Sequence, residues 1–252
     1  MRIMNIFNWI KTVGSYVLLM KRVLTKPDKW SMFWKQLMTE TNNLVIDSIG
    51  IVCLISVFIG VVCCIQIQMN ISSPLLPKFT LGATTREILV LEFSSAVMAL
   101  ILAGKVGSNI ASEIGTMRIT EQIDALEVMG VNSANYLILP KVIAMVVFMP
   151  ILVIFSIACG LAGGALICYL TSNPSIDIYV FGIQALFKAS NIYYAIKKSY
   201  FFAFLITTIP AYCGYTVKGG ALQVGRKSTQ AVVVSSVMVL LCDVILTNLL
   251  LT

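Results

Sequence analysis

Long apolar runs alternate with short polar stretches along this chain, at lengths that match membrane crossings. Three runs contain no charged residue: 48–77, 142–176 and 199–217. Two further stretches are long enough only if each encloses one carboxylate, Glu92 within 88–110 and Asp243 within 228–251. Because about 20 apolar residues in a helix cross the hydrocarbon core of a bilayer, the pattern predicts five transmembrane helices.

The run 142–176 allows two interpretations. It is long for a single crossing, and it contains Pro150, Gly160, Gly163 and Gly164. Two half-length segments there would reverse the orientation of every later helix. We expect one long, tilted helix that reaches beyond the bilayer.

The composition agrees with a membrane protein and leaves no room for a large soluble domain. The 252 residues are 58% hydrophobic and 12% charged, and their mean hydropathy of +0.92 exceeds that of soluble globular chains. The seven cysteines lie in apolar stretches without C-x-x-C spacing, so we expect packing roles rather than disulfides or a metal site. The chain has no histidine, which removes the usual nucleophile pairs, HExxH zinc sites and histidine proton relays. We therefore expect no catalysis by this chain.

The first 42 residues predict a helical segment at the membrane surface. Seven of the 18 Lys and Arg residues lie before residue 47, interleaved with aromatic and aliphatic residues. This mixture is typical of helices on an anionic leaflet, and we expect no nucleic acid partner. A signal peptide is the alternative, but Lys11 interrupts the apolar stretch and no A-x-A-like cleavage site follows.

The distribution of Lys and Arg predicts the orientation in the membrane. With the N-terminus in the cytoplasm, the cytoplasmic segments carry thirteen of the 18 basic residues and the outer segments carry five. The positive-inside rule therefore predicts a cytoplasmic N-terminus and an outer C-terminal Thr252.

The segment 112–130, between the second and third predicted spans, concentrates charge in an otherwise apolar chain. Five charges fall between residues 113 and 127 and sum to −3, in a protein of net charge +7. Apolar residues three apart predict an amphipathic helix that ends at Gly130, with Arg118 able to pair with Glu121. An idle surface helix is the alternative, but an anionic leaflet would repel its net negative charge. We therefore predict a helix that transmits force to a soluble partner.

Three rows of small residues recur at every fourth position. One comprises Gly107, Ala111 and Gly115, a second comprises Ser156, Gly160 and Gly164, and a third comprises Gly104, Ser108 and Ser112. Such rows let helices approach closely in lipid. The contact is either within one chain or between two copies.

The sequence GGALQVGRKST (219–229) matches a phosphate-binding loop only in part. Counted from Gly220, the pattern needs Lys where Arg226 stands, and no strand precedes the segment. We predict a cytoplasmic turn that does not bind ATP.

The stretch from Ser94 to Pro140, centred on AGKVGSNIASEIGTMRITEQIDALEVMGVN, closely resembles the permease subunit of the MlaE family. VFIGVVCCIQ (57–66) resembles the family's first span, and GYTVKGGALQVGRKSTQAVVVSS (214–236) resembles its C-terminal part, so the similarity covers about residues 44–250. One departure lies in the second span, where relatives often carry Arg-Glu-Leu-Gly-Pro. This chain has Leu-Glu-Phe-Ser-Ser at 91–95, which keeps the acid and lacks both the Arg and the helix-bending Pro.

The resemblance implies an all-α integral membrane protein with a single domain over 1–252. An interfacial (elbow) helix would occupy 1–42, and 43–252 would form five transmembrane helices with a cytoplasmic coupling helix at 112–130. In the family this helix docks into an ATPase, here through seven residues: Glu113, Ile114, Met117, Arg118, Glu121, Asp124 and Leu126.

The implied function is that of the permease subunit of an ABC transporter, without catalysis of its own, which moves phospholipids between the inner membrane and an MCE-domain shuttle or tunnel. The implied partners are a second copy of the chain (a homodimer), a cytoplasmic ABC ATPase that supplies the ATP and Mg site, and a periplasmic MCE-domain protein. Two alternatives stay open: a secondary transporter of a hydrophobic substrate driven by an ion gradient, and a structural membrane anchor.

Three ionisable residues are predicted to lie inside the bilayer: Glu92, Lys198 and Asp243. At about 1.5 Å of rise per residue, the first two lie roughly 7 Å and the third roughly 12 Å from the outer ends of their spans. A charge facing hydrocarbon costs about 2.5–3.5 kcal/mol even on lenient scales, so we expect these side chains to face the protein interior or a wet cavity. They form either a structural ion pair or a polar lining for lipid head groups.

Overall fold

The structure, a computed structural model, describes residues 2–26, 30–70, 77–171, 174–185 and 187–251. Within these ranges every regular element is a helix and none is a strand. The predicted all-α class is therefore confirmed. All seven cysteines are free thiols, as expected from their apolar surroundings.

The N-terminal part consists of helix α1 (Arg2–Val23) and a second, longer helix. The longer helix is continuous from Trp30 to Asn70 and comprises α2 (Trp30–Thr41), the π-helical segment π1 (Asn42–Ile46) and α3 (Asp47–Asn70). The predicted interfacial segment thus contains α1 and α2, and α2 runs into the first predicted span without a break. The end of that predicted span, at 71–76, lies outside the described residues.

The second long helix is continuous from Thr80 to Ile119. It comprises five segments: α4 (Thr80–Ile88), π2 (Leu89–Val97), α5 (Met98–Leu102), π3 (Ala103–Gly107) and α6 (Ser108–Ile119). After a break at Thr120 and Glu121, the short helix α7 (Gln122–Val128) follows. The helix therefore extends at both ends beyond the predicted span 88–110.

The remaining helices are α8 (Ser133–Thr171), α9 (Ile176–Gln184), α10 (Ala189–Tyr215) and α11 (Ala221–Leu251). Helix α8 is a single helix of 39 residues, about 58 Å long at 1.5 Å per residue. The expectation of one long helix over 142–176 is confirmed as far as Thr171, and the alternative of two half-length segments does not apply there. Helix α9 was not predicted.

Four helices among the described residues are long and apolar enough to cross a membrane: Trp30–Asn70, Thr80–Ile119, Ser133–Thr171 and Ala221–Leu250. They correspond to four of the five predicted spans. The fifth prediction, 199–217, falls on α10, which at 27 residues is about 40 Å long. Because α10 includes Lys197, Lys198 and Pro210 and is not among these four helices, its crossing stays a prediction.

The chain forms two compact units, each built from three stretches of sequence. Unit 1 comprises Met1–Val45, Leu102–Met145 and Ala203–Met238. In it, the row of small residues on α6 and π3 packs against α10. A Cβ at Gly107 would lie 3.1 Å from the Pro210 side chain, and one at Gly214 would lie 2.7 Å from the Ala111 carbonyl oxygen. This row therefore serves packing within the chain.

Unit 2 comprises Ile46–Ile101, Val146–Phe202 and Val239–Thr252. Its α3 and α8 approach so closely that a Cβ at Gly60 would overlap the Gly160 carbonyl oxygen. Four residues further back along each helix, the Ser56 hydroxyl donates to the Ser156 hydroxyl over 2.8 Å. The second row of small residues is thus also used within the chain.

Helices α4 and α9 form the other close pair in unit 2. A Cβ at Gly82 would overlap the Tyr179 carbonyl oxygen, and a Cβ at Gly182 would overlap the Phe79 carbonyl oxygen. Arg86, only 4% exposed, donates to the carbonyl oxygens of Ile183 at 2.6 Å and Ala185 at 2.8 Å. These contacts hold the C-terminal end of α9 against α4.

Candidate functional site

A buried lysine lies between two carboxylates in unit 2. Lys198 on α10 is 0% exposed, and its Nζ lies 3.1 Å from Glu92 Oε2 and 2.5 Å from Asp243 Oδ1. The structure thus brings together the three residues whose positions along their spans predicted proximity. Their formal charges sum to −1, so the positive charge of Lys198 is balanced and one negative charge remains. We call Glu92, Lys198 and Asp243 the charged triad.

Further contacts hold Lys198 in place within the charged triad. Its Nζ donates to Thr247 Oγ1 at 3.2 Å and to the Leu91 carbonyl oxygen at 3.4 Å. It also lies 4.8 Å from the centre of the Tyr194 ring, a cation–π contact. The contact with Asp243 is an ion pair. The ammonium group is therefore positioned by three helices and satisfied from several sides.

The two carboxylates of the charged triad differ in exposure. The Glu92 side chain is 41% exposed, whereas that of Asp243 is 16% exposed. Phe93, next to Glu92, lines an apolar groove of about 340 Å³ together with α3 residues such as Phe58, Ile59 and Val62. Glu92 is thus the more exposed acid of the charged triad, and the residue that follows it along π2 belongs to the groove.

The π-helical segment π2 covers the part of the second span where this chain departs from the family pattern. It covers Leu89–Val97 and so includes Glu92 and the departure at 91–95. The Ser95 hydroxyl lies 3.4 Å from the carbonyl oxygens of both Leu91 and Glu92. The helix is therefore irregular around Glu92 although no proline is present, and π-helical turns of this kind are frequent at functional sites.

The predicted coupling segment consists of two helices rather than one. Glu121 has φ 60°, in the left-handed region, and separates α6 from α7. The prediction of one continuous helix over 112–130 is therefore wrong at this point. Its predicted end is confirmed, because Gly130 follows α7 with φ 77°.

Two predicted contacts in the coupling segment differ from those in the structure. Arg118 pairs with Asp124 across the break, with Nη1 to Oδ1 at 2.6 Å, and not with Glu121 as predicted. Ile114 is 0% exposed inside unit 1 and cannot face a partner. Met117 and Leu126 are half-buried. The exposed apolar residues at the end of α7 are Val128 and Met129, which are 88% and 68% exposed.

Glu113 belongs to a second buried cluster that sequence reasoning missed. Lys141 on α8 is 1% exposed, and its Nζ lies 2.6 Å from Glu40 Oε2 and 2.7 Å from Glu113 Oε2. Gln36 donates to the other Glu40 oxygen at 3.0 Å. The cluster joins α2, α6 and α8 within unit 1. In the sequence, Lys141 has only the features of a basic residue that flanks an apolar run.

Glu127 fastens α7 to the start of α8 and the end of α10. Its Oε1 accepts hydrogen bonds from the Ser133 and Tyr215 hydroxyls, both at 2.9 Å. These hydrogen bonds stabilise the carboxylate form and hold the pKa of Glu127 below its usual value. The negative charge at this position is therefore kept at neutral pH.

Comparison with known proteins adds to this geometry. Residues 37–249 match the family model described as "Permease MlaE". A "Probable ABC transporter permease protein" of Rickettsia bellii is 29% identical over 95% of this chain and 92% of the relative. A protein of the same description from Synechocystis sp. is 33% identical over 78% of this chain and 74% of the relative. The chloroplastic "Protein TRIGALACTOSYLDIACYLGLYCEROL 1" of Arabidopsis thaliana is 30% identical over 87% of this chain and 63% of the relative.

Proposed function

Because the chain belongs to the MlaE permease family and is a permease subunit of an ABC transporter, we propose that it moves phospholipids and that the charged triad contacts their head groups. The observation that carries this proposal is the buried Lys198 between Glu92 and Asp243. The name of the plant relative also contains that of a diacylglycerol lipid, which supports a lipid as the substrate of this chain.

The chemistry of the charged triad suits a transient contact with a phosphodiester. The ammonium group of Lys198 attracts phosphate, while the two carboxylates compete for it and limit how tightly a head group is held. A head group would first contact the charged triad at the exposed part of Glu92. Since an ionisable group inside the bilayer is costly unless it is paired or functional, we infer that the paired Lys198 meets both conditions.

A structural lock is the competing role for the charged triad, and neutral substitutions distinguish the two. Lys198→Met alone leaves two uncompensated carboxylates, so it lowers stability in both cases. Replacing all three charges (Glu92→Leu, Lys198→Met, Asp243→Leu) removes the imbalance. If the triad handles head groups, this triple variant assembles normally and fails to move lipid in a reconstituted assay.

Full lipid movement by a stable triple variant would refute the head-group role. Lys197→Met is the matched control for Lys198→Met, because Lys197 is the preceding residue on α10 and is exposed. We expect it to leave both assembly and transport close to those of the wild type.

The coupling segment is the proposed docking surface for the ATPase, which would bind ATP and Mg itself. Of the seven residues expected to dock, Ile114 is buried and Glu113 pairs with Lys141. The remaining exposed set therefore comprises the apolar Val128 and Met129 with Glu121 and Asp124 beside them. An apolar centre with charged residues beside it is a common arrangement in protein interfaces.

Charge reversal tests this docking surface directly. Glu121→Lys with Asp124→Lys is expected to release the ATPase while the permease stays inserted. The matched control is Glu87→Lys with Asp177→Lys, two acidic residues of unit 2 on α4 and α9. If the first variant keeps a normal complex with ATP-dependent transport, or if the control releases the ATPase equally, the docking assignment is wrong.

The assembly that we propose follows the family. It is a homodimer in the inner membrane, with cytoplasmic N-termini, outer C-termini, five spans per chain and a periplasmic MCE-domain partner. Purification of the chain from its native membrane, followed by mass spectrometry of the proteins and lipids that accompany it, tests this composition. Absence of an MCE-domain protein and of phospholipid from such a preparation would contradict it.

A further inference from the structure

A groove of about 480 Å³ lies between the end of α1 and the end of α10 in unit 1. Its lining includes Leu18, Leu19, Lys21 and Arg22 of α1 and Tyr212 of α10. This groove is separate from the charged triad, whose three residues all belong to unit 2. We call it the α1–α10 groove.

Contacts at both ends fix the width of the α1–α10 groove. On one side, the Tyr16 hydroxyl donates to Thr208 Oγ1 at 2.8 Å, and the rings of Tyr16 and Tyr212 pack edge to face. On the other side, Asn135 Nδ2 donates to the carbonyl oxygens of Val23 at 2.8 Å and Thr25 at 2.6 Å. Helix α1 is thus tied to its neighbours on either side of the groove, so the opening is part of the packed structure of unit 1.

The two cations of the α1–α10 groove are the polar groups that are available to bind a ligand. Lys21 and Arg22 are exposed, and neither forms an ion pair within the part of the chain that the structure describes. The hydroxyls are already engaged: Thr25 donates to the Arg22 carbonyl oxygen, and Thr216 donates to that of Tyr212.

The backbone acceptors that would repel an anion are also engaged. The carbonyl oxygens of Arg22, Val23 and Thr25, at the end of α1, accept hydrogen bonds from other side chains. Glu127 keeps its negative charge and interacts electrostatically with Arg22, so Lys21 and Arg22 together exceed it by one positive charge. A ligand with negative charge therefore meets a net positive charge and few unsatisfied carbonyl oxygens.

The apolar wall of the α1–α10 groove indicates that the ligand has an apolar part beside its negative charge. Leu18, 66% exposed, lies one helical turn before the two cations, and Leu19 lies beside it along α1. A small soluble anion needs no such wall, whereas a phospholipid presents a phosphate directly above the start of its acyl chains. Basic pockets between helices at a membrane surface are suited to anionic lipid head groups.

We propose that the α1–α10 groove binds one anionic phospholipid of the leaflet on which α1 lies, with its phosphate at Lys21 and Arg22 and the start of its acyl chains along Leu18 and Leu19. The bound lipid fastens α1 to α10 at the membrane surface. This proposal depends only on the chain being a membrane protein. It does not depend on which substrate the transporter moves.

Native mass spectrometry of the full-length chain in detergent tests the proposal, with phosphatidylglycerol and phosphatidylcholine titrated separately. We expect one high-affinity phosphatidylglycerol per chain. Lys21→Gln with Arg22→Gln is expected to weaken this binding about 30-fold, equivalent to about 2 kcal/mol from two basic residues near a membrane surface. The matched control is Lys11→Gln with Lys35→Gln, which removes two exposed basic residues outside the groove.

Three results would overturn the proposal. The first is equal affinity for the two lipids, which indicates an unselective annular lipid. The second is equal weakening by the groove variant and the control, which indicates general attraction by positive charge. The third is full displacement of phosphatidylglycerol by glycerol phosphate at comparable concentration, which indicates a site for a free anion.

Discussion

Lys141→Met is expected to destabilise the protein strongly, because it leaves two carboxylates without their shared cation. The side chains of Lys141 and Glu40 are 2% and 3% exposed, so neither can be hydrated in place. Glu113 is 35% exposed and can recover water. Breaking a buried ion pair by removing one partner costs about 3–5 kcal/mol, and we assign most of this cost to Glu40.

The free energy of unfolding of the full-length chain in mixed micelles measures this cost. Lys197→Met, at an exposed position of α10, serves as the control and should change the free energy by no more than about 0.5 kcal/mol. Lys141→Met combined with Glu40→Met should recover most of the loss, since an apolar pair can replace a buried ion pair at little cost. A loss below about 1 kcal/mol for the single variant, or no recovery in the double variant, would refute this reasoning.

Three further predictions concern the connections between helices. Gly82→Ala should lower the melting temperature, because its Cβ would overlap a backbone carbonyl of α9, whereas Gly104→Ala, with open space around it, should not. Arg86→Ala should speed amide hydrogen exchange in α9, since it removes two hydrogen bonds to carbonyl oxygens; unchanged exchange there would contradict this. Glu127 has a lowered pKa, so its contribution to stability is present above its unfolded pKa of about 4.3 and is lost as the pH falls through its lower folded pKa. Unfolding measured from pH 6 downwards should therefore show a smaller loss in Glu127→Gln than in the wild type.

The sequence pattern predicted the long helices well because length and apolarity alone decide them. Charge-free runs of spanning length have few alternatives in lipid, where every backbone polar group must be paired within the helix. The same argument located the charged triad. A lysine and two carboxylates at similar predicted depths are expected to pair, because an unpaired charge inside the bilayer is costly. In the structure Lys198 contacts both Glu92 and Asp243.

Contacts between helices were harder to predict, because they depend on which faces meet. The close approach of α4 and α9 relies on Gly82 and Gly182, which lie 100 residues apart and outside the rows of small residues found in the sequence. Lys141 gave no sign of burial, since a basic residue beside an apolar run is the usual positive-inside signal. Its partner Glu40 lies 101 positions away in sequence.

The break in the coupling segment had no local signal. A left-handed residue after a helix is usually Gly or Asn, but here it is Glu121. The Arg118–Asp124 ion pair spans the break and replaces the i+3 pair that a continuous helix would have made. Prediction of the exposed face failed for the same reason: Ile114 and Ile123 both point into unit 1, and Val128 and Met129 are left outside.

ATP-dependent phospholipid movement by the reconstituted transporter tests the central claim most directly. The complete complex, with its ATPase, would be placed in liposomes containing labelled phospholipid, and lipid transfer would be followed with ATP, with a non-hydrolysable analogue, and with an ion gradient alone. We predict transfer only with ATP, and its loss in the Glu92→Leu, Lys198→Met, Asp243→Leu variant. Transfer driven by an ion gradient without ATP, or no phospholipid transfer under any of these conditions, would contradict the account.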